Sequence, residues 1–244
     1  MVDWFETLAA RSELSADAAC ELHHRGFIIL PGPVPSERMQ SLTDAYTAAM
    51  SSASGPEVRV GSTSTRVSDF VNRGTDFDAL YIFPPLLDAC CRVIGQPFKL
   101  SSLQARTLKP HTPAQELHVD VQRDSADWPL LGFILMVDEF RQENGATRFL
   151  PGSHHWLSAP EGTISDLRAD RAGQVLACAP AGSLLIFNGS VWHGHTANTS
   201  DAPRRSLQGA FIPRDGRAAT DFAARMQPET GARLSALARY VLAA

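Results

Sequence analysis

The sequence predicts a mainly β fold of the jelly-roll type with flanking helices. Its 244 residues, of which 44% are hydrophobic, suit one large domain with a sizeable core. Helical patterns fill the N-terminal part, whereas strand-like segments separated by Pro, Gly, Asn and Asp clusters follow from residue 98 onward. Helical character returns only at the C-terminal end. This order indicates a β-barrel or sandwich with helices packed on its outside.

We predict a single domain with three parts. A helical part covers about 1–97, the β core covers about 98–213, and a helical tail covers 214–244. The predicted helices of the first part are Ala16–Arg25, capped by Ser15 and ended by Gly26, then Ser36 to about Met50, and Pro84–Ile94. A short buried strand is expected at Phe27–Leu30. The predicted core strands are Phe98–Leu108, Glu116–Val121, Leu130–Phe140, Thr147–Leu150, Ser183–Phe187 and Arg205–Ile212.

Composition excludes several classes of function. A net charge of −4 gives no electrostatic reason to expect nucleic acid or an anionic membrane as partner. The four cysteines form no C-x-x-C pair, which argues against a zinc cluster or a disulfide framework and favours reduced thiols in the cytoplasm. No signal-peptide pattern or long apolar run occurs. We therefore expect a cytoplasmic protein with a small-molecule substrate, and predict no particular oligomeric state.

Two segments carry candidate metal ligands. In a strand, residues two apart point to the same face, so His118 and Asp120 present an imidazole and a carboxylate side by side. A third candidate, His193, follows later in the chain, with His195 two residues beyond as a competitor. Two histidines and one carboxylate on one face of a metal form the facial triad of Fe(II) oxygenases, which leaves positions open opposite. An H-x-D pair alone is a weak signal, because many chains contain one by chance.

An arginine after the third ligand strengthens this interpretation. Arg204 stands close to the start of the next predicted strand, and its guanidinium can fork onto the far carboxylate of a dicarboxylate co-substrate. Arg205 competes for this role. Consecutive strand residues face opposite ways, so only one of the two should point into the barrel.

The sequence resembles the phytanoyl-CoA dioxygenase family over roughly residues 20–213. The resemblance rests on three segments, which are Gly26–Gly32, Asn144–His154 with its N-G and P-G-S-H elements, and Gly182–Phe187 followed by His193, Asn198, Ser200 and Arg204. It implies a double-stranded β-helix of the cupin-like type. It also implies Fe(II) held by His118, Asp120 and His193, with 2-oxoglutarate held by Arg204.

The resemblance further implies a reaction. Dioxygen and 2-oxoglutarate would be consumed, succinate and carbon dioxide released, and a small molecule hydroxylated, as in the synthesis of secondary metabolites. Asp120 favours hydroxylation, since related halogenases carry Ala or Gly at that position. The chain is short for the family and lacks a basic cluster suited to a CoA phosphate, which argues against a long acyl-CoA substrate.

Further residues are candidates for the pocket. Thr147, Leu135 and His195 are candidate co-substrate contacts, although a backbone-satisfied threonine and plain core packing are the alternatives. The candidate substrate contacts are Gln104, Arg106, Gln115, Trp128 and Phe133. A solvated strand face is the alternative for Gln104 and Arg106.

Three other functions stay open at this stage. The same cofactors could end in desaturation, epimerisation, cyclisation or endoperoxide formation. The chain could be a non-catalytic jelly-roll module that retains a metal site, although the intact set of ligands and Arg204 argues against this. It could also be a metal-dependent enzyme that uses no 2-oxoglutarate.

Overall fold

The computed structural model describes residues 3–123 and 128–244 and contains two antiparallel β-sheets. The larger sheet has seven strands in the order β1-β8-β5-β10-β4-β3-β2, and the smaller has three in the order β7-β6-β9. The strands are β1 (Phe27–Pro31), β2 (Val58–Val60), β3 (Ser64–Ser68), β4 (Phe98–Leu108), β5 (Leu131–Met136), β6 (Thr147–Phe149), β7 (Val175–Ala177), β8 (Ser183–Asn188), β9 (His193–His195) and β10 (Arg204–Pro213).

Eight α-helices lie before, between and after these strands. They are α1 (Trp4–Ala9), α2 (Ala16–Arg25), α3 (Met39–Ser52), α4 (Asp78–Tyr81), α5 (Pro84–Ile94), α6 (Phe222–Arg225), α7 (Pro228–Arg233) and α8 (Ala236–Leu242) within the described ranges. Local signals fix several of them. The Ser15 side chain caps α2, and Gly26 and Gly95 end α2 and α5 in the left-handed conformation.

Successive side chains of a strand point to opposite faces of the large sheet, so the sheet has a hydrophobic layer on each face. One face of the large sheet packs against the helices, where Phe133, Leu135 and Leu207 join helical residues such as Leu42 and Leu87 in one core. The opposite face looks toward the small sheet, and a second core lies between the two sheets, built from residues such as Ile134, Met136 and Phe149. The mainly β architecture with flanking helices confirms the predicted fold class.

Two sequence predictions need correction. The strand predicted over Glu116–Val121 is reduced to a single bridge between His118 and His193, because its backbone N–H groups turn to three different partners. Leu117 donates to the Leu167 carbonyl, His118 to His193, and Asp120 to Gly189.

The C-terminal tail, for which helical character is predicted, contains three short helices. It is divided into α6, α7 and α8, since the residue before Pro228 is extended and Ser235 caps a new helix. The N-terminal part, predicted to be helical apart from one strand, also contributes β2 and β3. Among the described residues, no helix is long and apolar enough to cross a membrane.

Candidate active site

Three predicted ligands converge at one end of the space between the sheets. Ligand atoms of His118, Asp120 and His193 all lie within 4.8 Å of one another. The Asp120 carboxylate lies 3.9 Å from His118 Nε2 through Oδ1 and 3.8 Å from His193 Nε2 through Oδ2. One carboxylate and two imidazoles therefore aim at a common point, as a facial metal triad requires.

Backbone contacts fix which imidazole nitrogen faces that point. His118 Nδ1 lies 2.9 Å from the Glu116 carbonyl, and His193 Nδ1 lies 2.9 Å from the Val191 carbonyl. A carbonyl only accepts, so each Nδ1 carries the proton and each Nε2 presents a lone pair. Such hydrogen bonds orient histidine ligands at metal sites.

The surroundings also keep the His118 ring neutral. Burial, together with the neighbouring His193, lowers the pKa of His118 to about 4. A neutral imidazole is the form that binds a metal at pH 7. The donor set of two imidazole nitrogens and one carboxylate, without a thiolate, fits Fe(II).

The strand β10 resolves the choice between the two arginines. Arg204 is buried, places its guanidinium carbon 4.0 Å from the centre of the Phe140 ring and donates from Nη1 to the Gly145 carbonyl. Its Nε has no protein partner among the described residues. Arg205 points the other way and pairs with Asp138, with Nη2 and Oδ1 2.7 Å apart. Of these two arginines, Arg204 is therefore the buried one, and its guanidinium can still donate hydrogen bonds to a ligand.

A cavity of about 310 Å³ joins Arg204 to the three ligands. Its size is at the lower end of the range of small-molecule sites. Six predicted pocket residues border it, namely Gln104, Arg106, Gln115, Phe133, Thr147 and His195. Gln115 lies next to the metal site, with its Nε2 3.4 Å from His118 Nε2. Burial, and next Arg106, lower the pKa of His195 to about 3, so this imidazole is neutral.

The family of the chain follows from a comparison with protein-family models. The model for phytanoyl-CoA dioxygenase matches residues 22–206, which is most of the chain. The chain belongs to this family. The match confirms the resemblance seen in the sequence.

Relatives of this phytanoyl-CoA dioxygenase family member carry dioxygenase names. Dioxygenase cdmA from Talaromyces verruculosus is 40% identical over 108 residues, 41% of this chain and 35% of that protein. The iron/alpha-ketoglutarate-dependent dioxygenase okaE from Penicillium ochrochloron is 27% identical over 194 residues, 72% of this chain and 62% of that protein. The chain thus spans less than two thirds of the length of either relative.

Two solved structures illustrate the shared fold. HygX from Streptomyces hygroscopicus, with nickel and 2-oxoglutarate bound, has a TM-score of 0.68 at 17% identity, covering 83% of this chain and 88% of that one. The carbocyclase SnoK from nogalamycin biosynthesis has a TM-score of 0.65 at 18% identity, covering 88% and 92%. At such identities the likeness supports the fold.

Two candidates lie outside the cavity of this phytanoyl-CoA dioxygenase family member. Leu135 packs in the core shared with the helices and does not border the cavity, whereas Phe133, two residues away on the same face of β5, does border it. Trp128 packs against His154 and His155 and donates from Nε1 to the His154 carbonyl at 3.2 Å. We therefore leave Leu135 out of the co-substrate site and Trp128 out of the substrate pocket.

The sequence reasoning missed other residues that border the cavity. Ser102 and Gln208 line its wall on β4 and β10, and Ile134 lines it on β5. The alternation of side chains along a strand could have identified Gln208, because it stands four residues after Arg204 and therefore shares its face. Ile134 is paired with Gln208, which places it on the inward face.

Two residues of the family signature have structural roles. The buried Asn198 side chain donates to the Lys109 and Ala202 carbonyls and accepts from Ser200, which fixes the loop between His193 and Arg204. His154 is buried with its Nε2 2.9 Å from the His23 carbonyl.

Proposed function

We propose that this protein is a non-haem Fe(II)- and 2-oxoglutarate-dependent oxygenase that hydroxylates a small molecule, such as an intermediate of secondary metabolism. The observation that carries the proposal is a buried, incompletely partnered arginine in the same cavity as a two-histidine, one-carboxylate triad. A metal site needs only the triad, whereas a site for a dicarboxylate co-substrate also needs a cation at a distance from the metal. Family membership and the names of relatives support the same class.

Each residue has a defined task in this proposal. His118, Asp120 and His193 would hold Fe(II), with both Nε2 lone pairs directed by backbone carbonyls. Arg204 would bind the distal carboxylate of 2-oxoglutarate, its guanidinium held by the Gly145 carbonyl and the Phe140 ring. When bound, Fe(II) and 2-oxoglutarate would supply oxidising power from dioxygen, with release of succinate and carbon dioxide. Thr147 and His195 are proposed to border the co-substrate.

The cavity wall supports a small and partly polar substrate. Gln104, Gln208 and Ser102 contribute hydrogen-bonding groups, while Phe133 and Phe187 contribute apolar surface. We propose Gln104, Gln115, Arg106 and Phe133 as substrate-positioning candidates. Such residues would hold the target C–H bond near the metal and keep water away.

The proposal is tested by anaerobic visible spectroscopy. Apo protein is titrated with Fe(II) and then with 2-oxoglutarate, and a metal-to-ligand charge-transfer band is expected. The band should be absent in His118→Ala, while a surface variant such as His24→Ala should keep it. Absence of the band in folded, iron-loaded wild type would favour a binding module or an enzyme without 2-oxoglutarate.

Substrate screening then follows succinate release, and mass spectrometry identifies the outcome. Hydroxylation adds one oxygen atom, desaturation and ring closure remove two hydrogen atoms, and epimerisation leaves the mass unchanged. The predicted absence of nucleic-acid partners and the cytoplasmic location remain predictions. Cell fractionation checks the location.

A further inference from the structure

Arg148 is a buried arginine on the outer face of the small sheet. It stands in β6 between Thr147, which borders the cavity, and Phe149, which packs in the core between the sheets. Its side chain therefore points to the opposite face, yet it is 0% exposed. The chain around Glu116 covers this face, since a Cβ on Gly194, which is paired with Arg148, would lie 3.0 Å from the Glu116 carbonyl oxygen.

The guanidinium of Arg148 donates to three backbone carbonyls from two parts of the chain. Nη2 donates to the Gln115 carbonyl at 3.0 Å and to the Leu167 carbonyl at 2.9 Å, while Nη1 donates to the Ala169 carbonyl at 2.8 Å. Its carboxylate partner Asp170 is 83% exposed, with Oδ1 3.6 Å from Nη1. Arg148 therefore ties the loop between β6 and β7 to the segment just before the first candidate metal ligand.

A cation at this position needs a reason, because its burial costs stability. An apolar side chain of similar volume would fill the space without the cost of removing a charge from water. The pair with the exposed Asp170 carboxylate offsets little of that cost. An apolar side chain could not satisfy and orient three carbonyls at once, whereas a planar guanidinium with five donors can. The geometry that Arg148 imposes on these carbonyls therefore accounts for its presence.

A relay of hydrogen bonds leads from Arg148 to the metal site. The Leu167 carbonyl that accepts from Arg148 also accepts from Leu117 N, at 2.8 Å. Leu117 N belongs to the same planar peptide group as the Glu116 carbonyl oxygen. That oxygen lies 2.9 Å from His118 Nδ1, so it sets the direction in which Nε2 of the ring points.

A second hydrogen bond fixes the preceding peptide group. The Gln115 carbonyl accepts from Arg148, and Gln115 N donates to the His195 carbonyl at 2.9 Å. The two peptide groups that flank the Cα atom of Glu116 are thus both tied to one guanidinium, the first directly and the second through the loop carbonyl. Because both groups are held, the Glu116 carbonyl has little freedom to turn away from the imidazole.

We propose that Arg148 is a positioning residue, which sets the aim of the His118 imidazole at the metal by holding the peptide groups on either side of Glu116. It acts through backbone groups from the face of β6 opposite the cavity. Without the guanidinium, the Glu116–Leu117 peptide group can rotate, and the hydrogen bond that orients the imidazole lengthens. Loss of such outer partners of a histidine ligand lowers metal affinity about 10–100-fold. The inference rests on the proposed function, because it assumes that His118 binds the metal.

The test measures the metal affinity of folded variants. Co(II), a substitute for Fe(II) that is stable in air, is titrated into apo protein by isothermal titration calorimetry, well below the unfolding temperature. Arg148→Met removes every donor, Arg148→Lys keeps the charge and some of the donors, and Asp170→Asn removes only the exposed carboxylate partner. A merely structural role would lower the unfolding temperature and leave the Kd of the folded protein for Co(II) unchanged.

Arg148→Met is expected to raise the Kd for Co(II) about tenfold or more. Arg148→Lys should raise it about threefold, which is half of the tenfold change on the free-energy scale. Asp170→Asn should leave it unchanged. Where Arg148→Met does not fold, Arg148→Lys decides the question by the same titration.

Arg233→Met is the matched control for lost stability. Arg233 also donates to two backbone carbonyls, those of Val71 and Gly74, but it lies outside the relay. This variant should unfold at a lower temperature than wild type and bind Co(II) with the wild-type Kd. A metal-free readout comes from trypsin, which should cut apo Arg148→Met faster than wild type after Arg168, because the loop is no longer tied to the Gln115 carbonyl.

Three results would overturn the inference. They are a wild-type Kd for Co(II) in a folded Arg148 variant, an equal rise in Kd in Arg233→Met, and equal rates of trypsin cleavage in wild type and Arg148→Met. Failure of wild type to bind Co(II), or undiminished binding in His118→Ala, would instead contradict the metal site of the proposed function. The two failures are therefore distinguishable.

Discussion

His118 and His193 are joined directly through their backbones. His118 N donates to the His193 carbonyl at 2.9 Å, His193 N donates to the His118 carbonyl at 3.0 Å, and the two imidazole rings lie 4.4 Å apart. This pairing brings together two candidate metal ligands that are 75 residues apart in the sequence. Because main-chain hydrogen bonds hold the pair, the site should be largely formed before any metal binds.

We therefore expect metal binding to be lost in His118→Ala without loss of the fold. Wild type should gain about 3 kcal/mol of stability at a metal concentration of about a hundred times Kd, since the metal binds the folded state. Anaerobic thermal unfolding with and without Fe(II) measures this gain. His118→Ala should unfold near the wild-type apo temperature and gain almost nothing from Fe(II), whereas His24→Ala should behave as wild type. An equal gain in His118→Ala would contradict the assigned ligand.

The adjacent arginines of β10 offer a matched pair for testing co-substrate binding. Arg204→Gln should raise the Kd for 2-oxoglutarate at least about 30-fold, or about 2 kcal/mol, because a buried charge-assisted contact is lost. Arg205→Gln removes a partly exposed pair with Asp138 and should leave this Kd unchanged. Titration of the charge-transfer band measures both. Arg204→Lys, which keeps the charge but not the fork, should fall between them.

Several elements were predictable because their signals are local. The helices α2 and α5 and the strand β4 have the bounds that the sequence predicts, since Ser15, Gly26, Pro84 and Gly95 mark the helix ends. The sequence also names the candidate triad and Arg204, since the spacing of His118 and Asp120 and the family resemblance point to residues that the structure places around one cavity.

Features that depend on which strands pair were not predictable. The strands β2, β7 and β9 have only three residues each and lack a clear alternating pattern of their own. Arg59, Arg66 and Arg106 come side by side only through the pairing of β2, β3 and β4. Leu135 is left out of the site because it packs in the core shared with the helices and does not border the cavity. Register is a tertiary property, and a shift of one residue exchanges the two faces of a strand.

Substitutions of two glycines at helix ends can separate the cost of a steric clash from the cost of backbone strain. Gly26 and Gly95 both adopt a left-handed conformation, with φ of 82° and 68°. A Cβ on Gly26 would lie 2.5 Å from His154 Nδ1, whereas a Cβ on Gly95 would have nothing within 4 Å. Gly95→Ala should cost about 1 kcal/mol of unfolding free energy, and Gly26→Ala about 2–3 kcal/mol, because a steric clash is added to the strain. Urea denaturation measures both, and equal costs would contradict the predicted clash.

The histidine that packs against Gly26 should also make stability depend on pH. Burial lowers the pKa of His154 from 6.5 to about 4, so the unfolded chain takes up a proton at a higher pH than the folded protein does. The contribution of His154 is therefore fully present above pH 6.5 and is lost as the pH falls toward 4, by up to about 3 kcal/mol. Urea midpoints at pH 7.5 and pH 5 should differ less in His154→Gln than in wild type. All other titratable groups are the same in the two proteins, so the difference between their pH-dependent changes in midpoint isolates His154. Equal changes in midpoint would mean that the His154 imidazole titrates alike in the folded and unfolded states.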